Sequence, residues 1–372
     1  MKRKALVPIL FLLLSALALY AAAAGGDSSD PLISLSYLNG TYLSTVDTAV
    51  DQRLDAADQT LAANATAQLS AVVSGAGSGG SVAANWTETR LKSGDVLSGP
   101  TGLNILLLAG SMQVTFSSGA VVDVSAGTTV SSGSALAVNH RYLTAEDTAA
   151  QYTVTSKTAV AEYQGTYTRT DSAALDYNAM AAALKTMHLF QGSYTGYGSG
   201  YDLELAPTRI QALIMFIRVL GEEDAALGST GSTPFRDIAS GSLSEKYVSY
   251  AYSRGYSNGY TATSFQPNQA VTANQYLEFL LRALGYSSTA NTNLSDTLTR
   301  AQNCGVLNGA EAAALQSAAF LRADLVYVSY YGLDAPVSGS SQTLRQTLIG
   351  KGVFTAAEAS AASALVSGNR LS

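Results

Sequence analysis

The sequence predicts an α+β chain of several domains: a long N-terminal helix, a small antiparallel β domain and a C-terminal bundle of three helix-loop-helix repeats. Three observations predict it. Apolar residues recur every three or four positions over residues 44–73, apolar and polar residues alternate between 86 and 170, and from Asp176 onward helical segments repeat one another.

The first element is a leader. Lys2, Arg3 and Lys4 precede an apolar run over residues 5–20 and the alanines 21–24, the pattern of a secretory signal peptide over 1–24 with an A-x-A-type exit. An uncleaved anchor is the alternative, because run and alanines together approach the roughly 20 residues of a spanning helix. The single cysteine, Cys304, is far from this segment, which excludes a lipoprotein, and one cysteine forms no intramolecular disulfide. Stability must then come from buried cores.

Charged residues make up 13% of the chain, about half the usual share of roughly a quarter. The surface is accordingly polar through hydroxyls and amides. A net charge of −6 and the absence of a basic stripe exclude a nucleic-acid partner, so an acidic ligand would be met by individual arginines.

Residues 25–43 read as an extended opening. Val46, Val50, Leu54, Ala57, Leu61, Ala65, Leu69 and Val72 then fall on one stripe, which predicts a helix over 44–73. So narrow a stripe suits a coiled-coil seam joining copies of the chain; a frayed amphipathic linker suits it equally, since half the stripe is alanine or valine. The Gly/Ser-rich stretch 74–85 is a flexible linker. In 86–170, Met112, Val114 and Phe116 alternate with polar neighbours, as do Tyr152 and Val154, and Ser118-Gly119 and Ser132-Gly133 mark turns. This predicts an antiparallel sandwich or roll.

The repeats are expected at 176–227, 233–287 and 292–335, with a helical tail at 341–372 packed on them. Thr208-Arg209-Ile210-Gln211-Ala212-Leu213 aligns with Thr272-Ala273-Asn274-Gln275-Tyr276-Leu277, 64 residues on, and Arg218-Val219-Leu220-Gly221 with Arg282-Ala283-Leu284-Gly285. A lone pair of helices cannot cover its apolar face. Three pairs can, by joining their second helices in one core.

At these residues the chain resembles the S-layer homology family, three-repeat modules that fasten bacterial surface proteins to the cell wall. The middle repeat carries the resemblance in Phe235-Arg236-Asp237-Ile238, Gly255-Tyr256-Ser257-Asn258-Gly259, Phe265-Gln266-Pro267 and Leu280-Leu281-Arg282-Ala283-Leu284-Gly285-Tyr286. Thr208-Arg209-Ile210-Gln211 and Leu321-Arg322-Ala323-Asp324 are similar to the family's Thr-Arg-Ala-Glu signature. The resemblance implies non-covalent attachment of a secreted surface protein to an anionic secondary wall polysaccharide, often one bearing a pyruvate ketal, held in grooves between adjacent repeats. The ligand contacts it implies are Thr208, Arg209, Gln211, Tyr256, Asn258, Gly259, Arg322 and Asp324, with Asp237 either in the groove or capping nearby backbone.

The residue chemistry agrees with that implication. Thr208 is placed to cap a helix whose first turn presents free N–H groups and the positive dipole end, and Arg209 adds a guanidinium able to grip a carboxylate with two hydrogen bonds. Without the resemblance, a first-turn arginine reads as a solvated side chain, and both Arg209 and Arg322 are expected to be exposed. Tyr194, Tyr197, Tyr201, Tyr256 and Tyr260 offer rings to sugar faces or simply cover a small core. The second repeat has Ala273 where the signature has arginine and the third has Leu321 where threonine would cap, so the grooves are expected to be unequal, with one or two of them working.

Enzyme chemistry finds little support. Two histidines, His140 and His188, and one cysteine cannot assemble a zinc site of ordinary spacing, and neither a nucleophile elbow nor a phosphate-cradling glycine motif occurs. No cofactor is expected. Asp95, Asp123, Glu146, Asp147 and Glu162 are the acids a wall-hydrolase reading would need. An adhesion reading gives the β domain an external glycan or protein to bind.

Overall fold

The structure, a computed structural model, describes residues 48–50, 52, 81–192, 200–288, 293–368 and 370–372. The leader, the extended opening, the helix expected over 44–73 apart from residues 48–50 and 52, residues 74–80 of the Gly/Ser linker, Tyr194 and Tyr197 lie outside the described residues, while residues 81–85 of the expected linker belong to a strand.

From Ser81 the chain forms a curled antiparallel sheet of nine strands: β1 (Ser81–Lys92), β2 (Val96–Gly99), β3 (Asn104–Ala109), β4 (Met112–Phe116), β5 (Val121–Asp123), β6 (Thr128–Val130), β7 (Arg141–Thr144), β8 (Ala150–Val154) and β9 (Thr158–Thr170). Their order is β4-β8-β2-β9-β3-β7-β5-β6, with β1 also on β9. One face is apolar because the period-two pattern aims Leu97, Ile105, Leu107, Met112, Val114, Tyr152 and Val154 inward, all but wholly buried. The curl centres on Gly165 in β9. Up to Gln164 this strand pairs with β3, and from Thr168 with β2. Gly165 has φ +113°, and a Cβ there would stand 2.7 Å from the Gly102 carbonyl, so only glycine lets the strand cross.

The helical region holds α1 (Tyr177–Thr186), α2 (Arg209–Val219), α3 (Glu223–Leu227), α4 (Leu243–Ser253), α5 (Ala273–Ala283), α6 (Thr297–Asn303), α7 (Gly309–Ser317), α8 (Arg322–Gly332), α9 (Leu344–Gly350) and α10 (Ala356–Leu365). The second helices α2, α5 and α8 pack pairwise as a central trio. Phe216 meets Phe279 with ring centroids 5.7 Å apart, and the buried Tyr276 hydroxyl is satisfied by Ser329 at 2.6 Å. Each fully buried side chain of this size contributes about 1.5–3 kcal/mol. Around the trio α4 packs on α2, α6 on α5 and α1 on α8, so each first helix leans on the second helix of the preceding repeat, and repeat 1 closes the ring against repeat 3. The C-terminal helix α10 covers α1.

The β domain touches this ring through side chains. Lys157 bonds Asp324 at 2.5 Å, Asn178 Nδ2 donates to the Leu91 carbonyl, and the Arg90 guanidinium lies 4.5 Å from the centre of the Tyr201 ring.

Candidate functional site

The second helices begin in the same way. Thr208 caps α2 through the Gln211 amide, and the Gln211 side chain returns to the Thr208 N–H at 3.0 Å; Thr272 and Gln275 repeat this at α5. At α8 Leu321 has no capping side chain, and Asp324 takes the Leu321 N–H at 2.9 Å. These boxes orient the residue after each cap, and those residues, Arg209, Ala273 and Arg322, each face the loop of a neighbouring repeat.

Arg209 enters a groove between repeats 1 and 2 of about 460 Å³, lined also by Asn258, Gly259, Tyr260, Gln275, Glu278 and Arg282. Contrary to the expectation of exposure, it is only 5% accessible. The reason is geometric: its backbone N–H pairs with the Gln269 carbonyl at 2.8 Å, drawing the side chain between the rings of Phe265 and Phe279, 4.9 and 5.3 Å from their centres. Nη2 donates to the Gly259 carbonyl at 3.2 Å, whereas Nε is buried without a partner. Burial, with Arg282 nearby, pulls its guanidinium down to about 10.

The groove's own carboxylate is already engaged. Glu278, 2% exposed, accepts from Arg282 Nε at 3.1 Å, Ser287 Oγ at 2.5 Å and Arg300 Nη2 at 2.6 Å. Among the lining residues two guanidiniums thus stand against one carboxylate, itself shared with a third. None of the ion pairs among the described residues involves Arg209. The floor of this groove has surplus positive charge in a low-dielectric setting, which is chemistry for an anion.

The other two grooves differ. Arg322 lines a cleft of about 200 Å³ between repeats 3 and 1, with Phe190, Pro207, Gln211 and Met215. It is half-buried where exposure was expected, and its Nη1 pairs with the buried Asp202 carboxylate at 3.2 Å. Ala273 and Asn274 line a hollow of about 430 Å³ that no charged residue borders among the described residues.

The remaining expected contacts are scattered. Asn258 and Gly259 line the first groove. Asp237 does not face ligand space: it accepts from the Phe265 and Gln266 N–H groups, both at 2.8 Å, and from Ser264 Oγ, clamping the loop that carries Phe265. Burial raises the Asp237 carboxyl, but those donors outweigh it and hold it below its ordinary 3.8. Tyr256 is buried, its hydroxyl bonded to Glu222 and pushed up to about 12 by burial and that carboxylate. Asp324 spends its carboxylate on the α8 cap and Lys157. Tyr201 packs on Phe190 and under Arg90. His140 Nδ1 lies 2.7 Å from Asp123 at the edge of the sheet.

Glu278, Arg282 and Arg300 were missed as site residues. The signal was present: Glu278 and Arg282 are an i,i+4 pair on an otherwise apolar helix face.

Residues 234–272, from the strand of chain before the Phe235-Arg236-Asp237-Ile238 motif to the α5 cap, match the S-layer homology domain. The chain carries an S-layer homology domain. A cell surface protein of Thermoanaerobacter kivui is 29% identical over 162 residues, 42% of this chain and 21% of that protein, so the chain spans about a fifth of that relative's length. An S-layer homology domain implies a surface protein anchored non-covalently at the cell wall, and the protein is placed at the cell surface. Among the described residues no helix is long and apolar enough to cross a membrane.

Proposed function

We propose that the S-layer homology region holds this protein to the wall by binding an anionic secondary polysaccharide in the groove between repeats 1 and 2, and that the protein is a binding and display protein with no catalytic role. The observation that carries this reading is Arg209: a guanidinium 5% exposed, with an unpartnered Nε and no carboxylate partner among the described residues. Leaving a cation buried without a counter-ion costs several kcal/mol. A carboxylate on the polymer, as in a pyruvate ketal, would offset that cost, while the exposed Tyr260 and Tyr252 at the rim supply ring faces for sugar.

The test is sedimentation of the mature protein with purified wall sacculi before and after chemical removal of the secondary polymer. Binding should disappear with the polymer and be at least about tenfold weaker in Arg209→Gln, where one charge-assisted pair is lost. Retention that is unchanged by removing the polymer would refute the reading.

Adhesion by the β domain is the second reading. It is favoured by Trp86, the chain's single tryptophan, 37% exposed on β1 with the Arg141 guanidinium 5.4 Å from its ring centre.

A further inference from the structure

The grooves of Arg209 and Arg322 are built to one plan. Arg209 N and Ile210 N donate to the carbonyls of Gln269 and Pro267 at 2.8 and 3.0 Å; Arg322 N and Ala323 N donate to those of Leu205 and Leu203 at 2.9 and 3.0 Å. Leu203 and Leu205 precede Pro267 and Gln269 by the same 64 residues that separate Thr208 from Thr272. On that register, the residue just before each carbonyl pair is Asp202 in the loop facing Arg322 and Gln266 in the loop facing Arg209. Both take the left-handed conformation, with φ +51° and +58°, which points the side chain away from the loop's ordinary course. The one chemical difference at this position is a carboxylate against an amide. Asp202 is 6% exposed and pairs with Arg322; the equivalent Gln266 carries no charge, and Arg209 has no carboxylate partner among the described residues.

We propose that Asp202 is a built-in counter-ion that fills the anion subsite of the groove between repeats 3 and 1, so that this groove is a second, closed site for a sugar carboxylate and residue 202 or 266 decides which groove accepts ligand. The inference rests on the anion reading of Arg209's groove. A carboxylate tethered by the chain competes at a high effective concentration with any free one, because its translational entropy is already lost. Arg322 therefore has no use for an external anion while Asp202 is present, and Arg209 has one.

The full chain would be titrated calorimetrically with a hexoside bearing a pyruvate ketal, its uncharged methyl ester serving as control. Wild type should bind one equivalent. Asp202→Asn keeps the left-handed backbone, which asparagine tolerates, and should bind two, the second within about tenfold of the first; adding Arg322→Gln should return it to one. The reciprocal Gln266→Asp should weaken the wild-type site by about tenfold or more, and decides the matter should Asp202→Asn fail to fold. Wild type and a folded Asp202→Asn both binding one equivalent would overturn this inference and leave Arg209's groove standing. Wild type binding none while Asp202→Asn binds one would overturn the Arg209 reading and keep Asp202's role. Absence of binding in both would overturn both, and undiminished binding by Gln266→Asp would overturn the exchange.

Discussion

Arg209 carries opposing demands. Its guanidinium serves binding because it is buried and unpaired, and for the same reason it lowers stability. Arg209→Met, which keeps the stem between Phe265 and Phe279, should raise the thermal midpoint, by an amount corresponding to about 1 kcal/mol, while abolishing retention on sacculi. A melt that falls along with binding would show the arginine to be structural. Asp237 has the reverse profile. Asp237→Ala frees the Phe265 and Gln266 amides and should cost about 1 kcal/mol, discounted because the carboxylate is exposed. Its carboxyl is held below 3.8 in the fold, so its stabilisation is full above the unfolded value and fades as pH falls below about 4. An acid titration of stability in which wild type and Asp237→Ala converge below that pH checks it. At this scale the sequence showed which arginines open the helices, and missed their burial: a helix position says nothing of which loop will close over it.

Among the elements, the capping boxes separate the two roles of the second helices. Thr208→Ala and Thr272→Ala each remove one side-chain cap and should each lower stability by about 1 kcal/mol. Only Thr208→Ala should also weaken wall binding, because its cap aims Arg209; equal binding by both variants in the sacculus assay would contradict the assignment of the groove. The second helices and the strands over Met112–Phe116 and Ala150–Val154 were legible, since a period of 3.6 or of 2 maps directly onto one buried face. The curl of the sheet was not. It depends on Gly165 crossing at the Gly102 carbonyl, a contact between residues distant in sequence.

For the whole molecule, the C-terminal residues lock the ring. Arg370 Nε bonds the wholly buried Glu311 at 2.5 Å, and Nη2 reaches the Val306 carbonyl at 2.6 Å. Arg370→Ala leaves that carboxylate buried with the Tyr327 hydroxyl but without its cation, and should cost roughly 3 kcal/mol in chemical denaturation. A change under 1 kcal/mol would show the tail to be peripheral. The sequence by itself determined the order of a β-rich and a helical region, the S-layer homology motifs and the inequality among the three repeats, because periodicity, caps and the Arg209, Ala273 and Arg322 positions are local properties of the chain. Tertiary structure alone decided which arginine has an anion. Arg209 and Arg322 open their helices alike, and what distinguishes them is what lies across each groove: Asp202, contributed by another repeat, pairs with Arg322, whereas Arg209 has no carboxylate partner among the described residues.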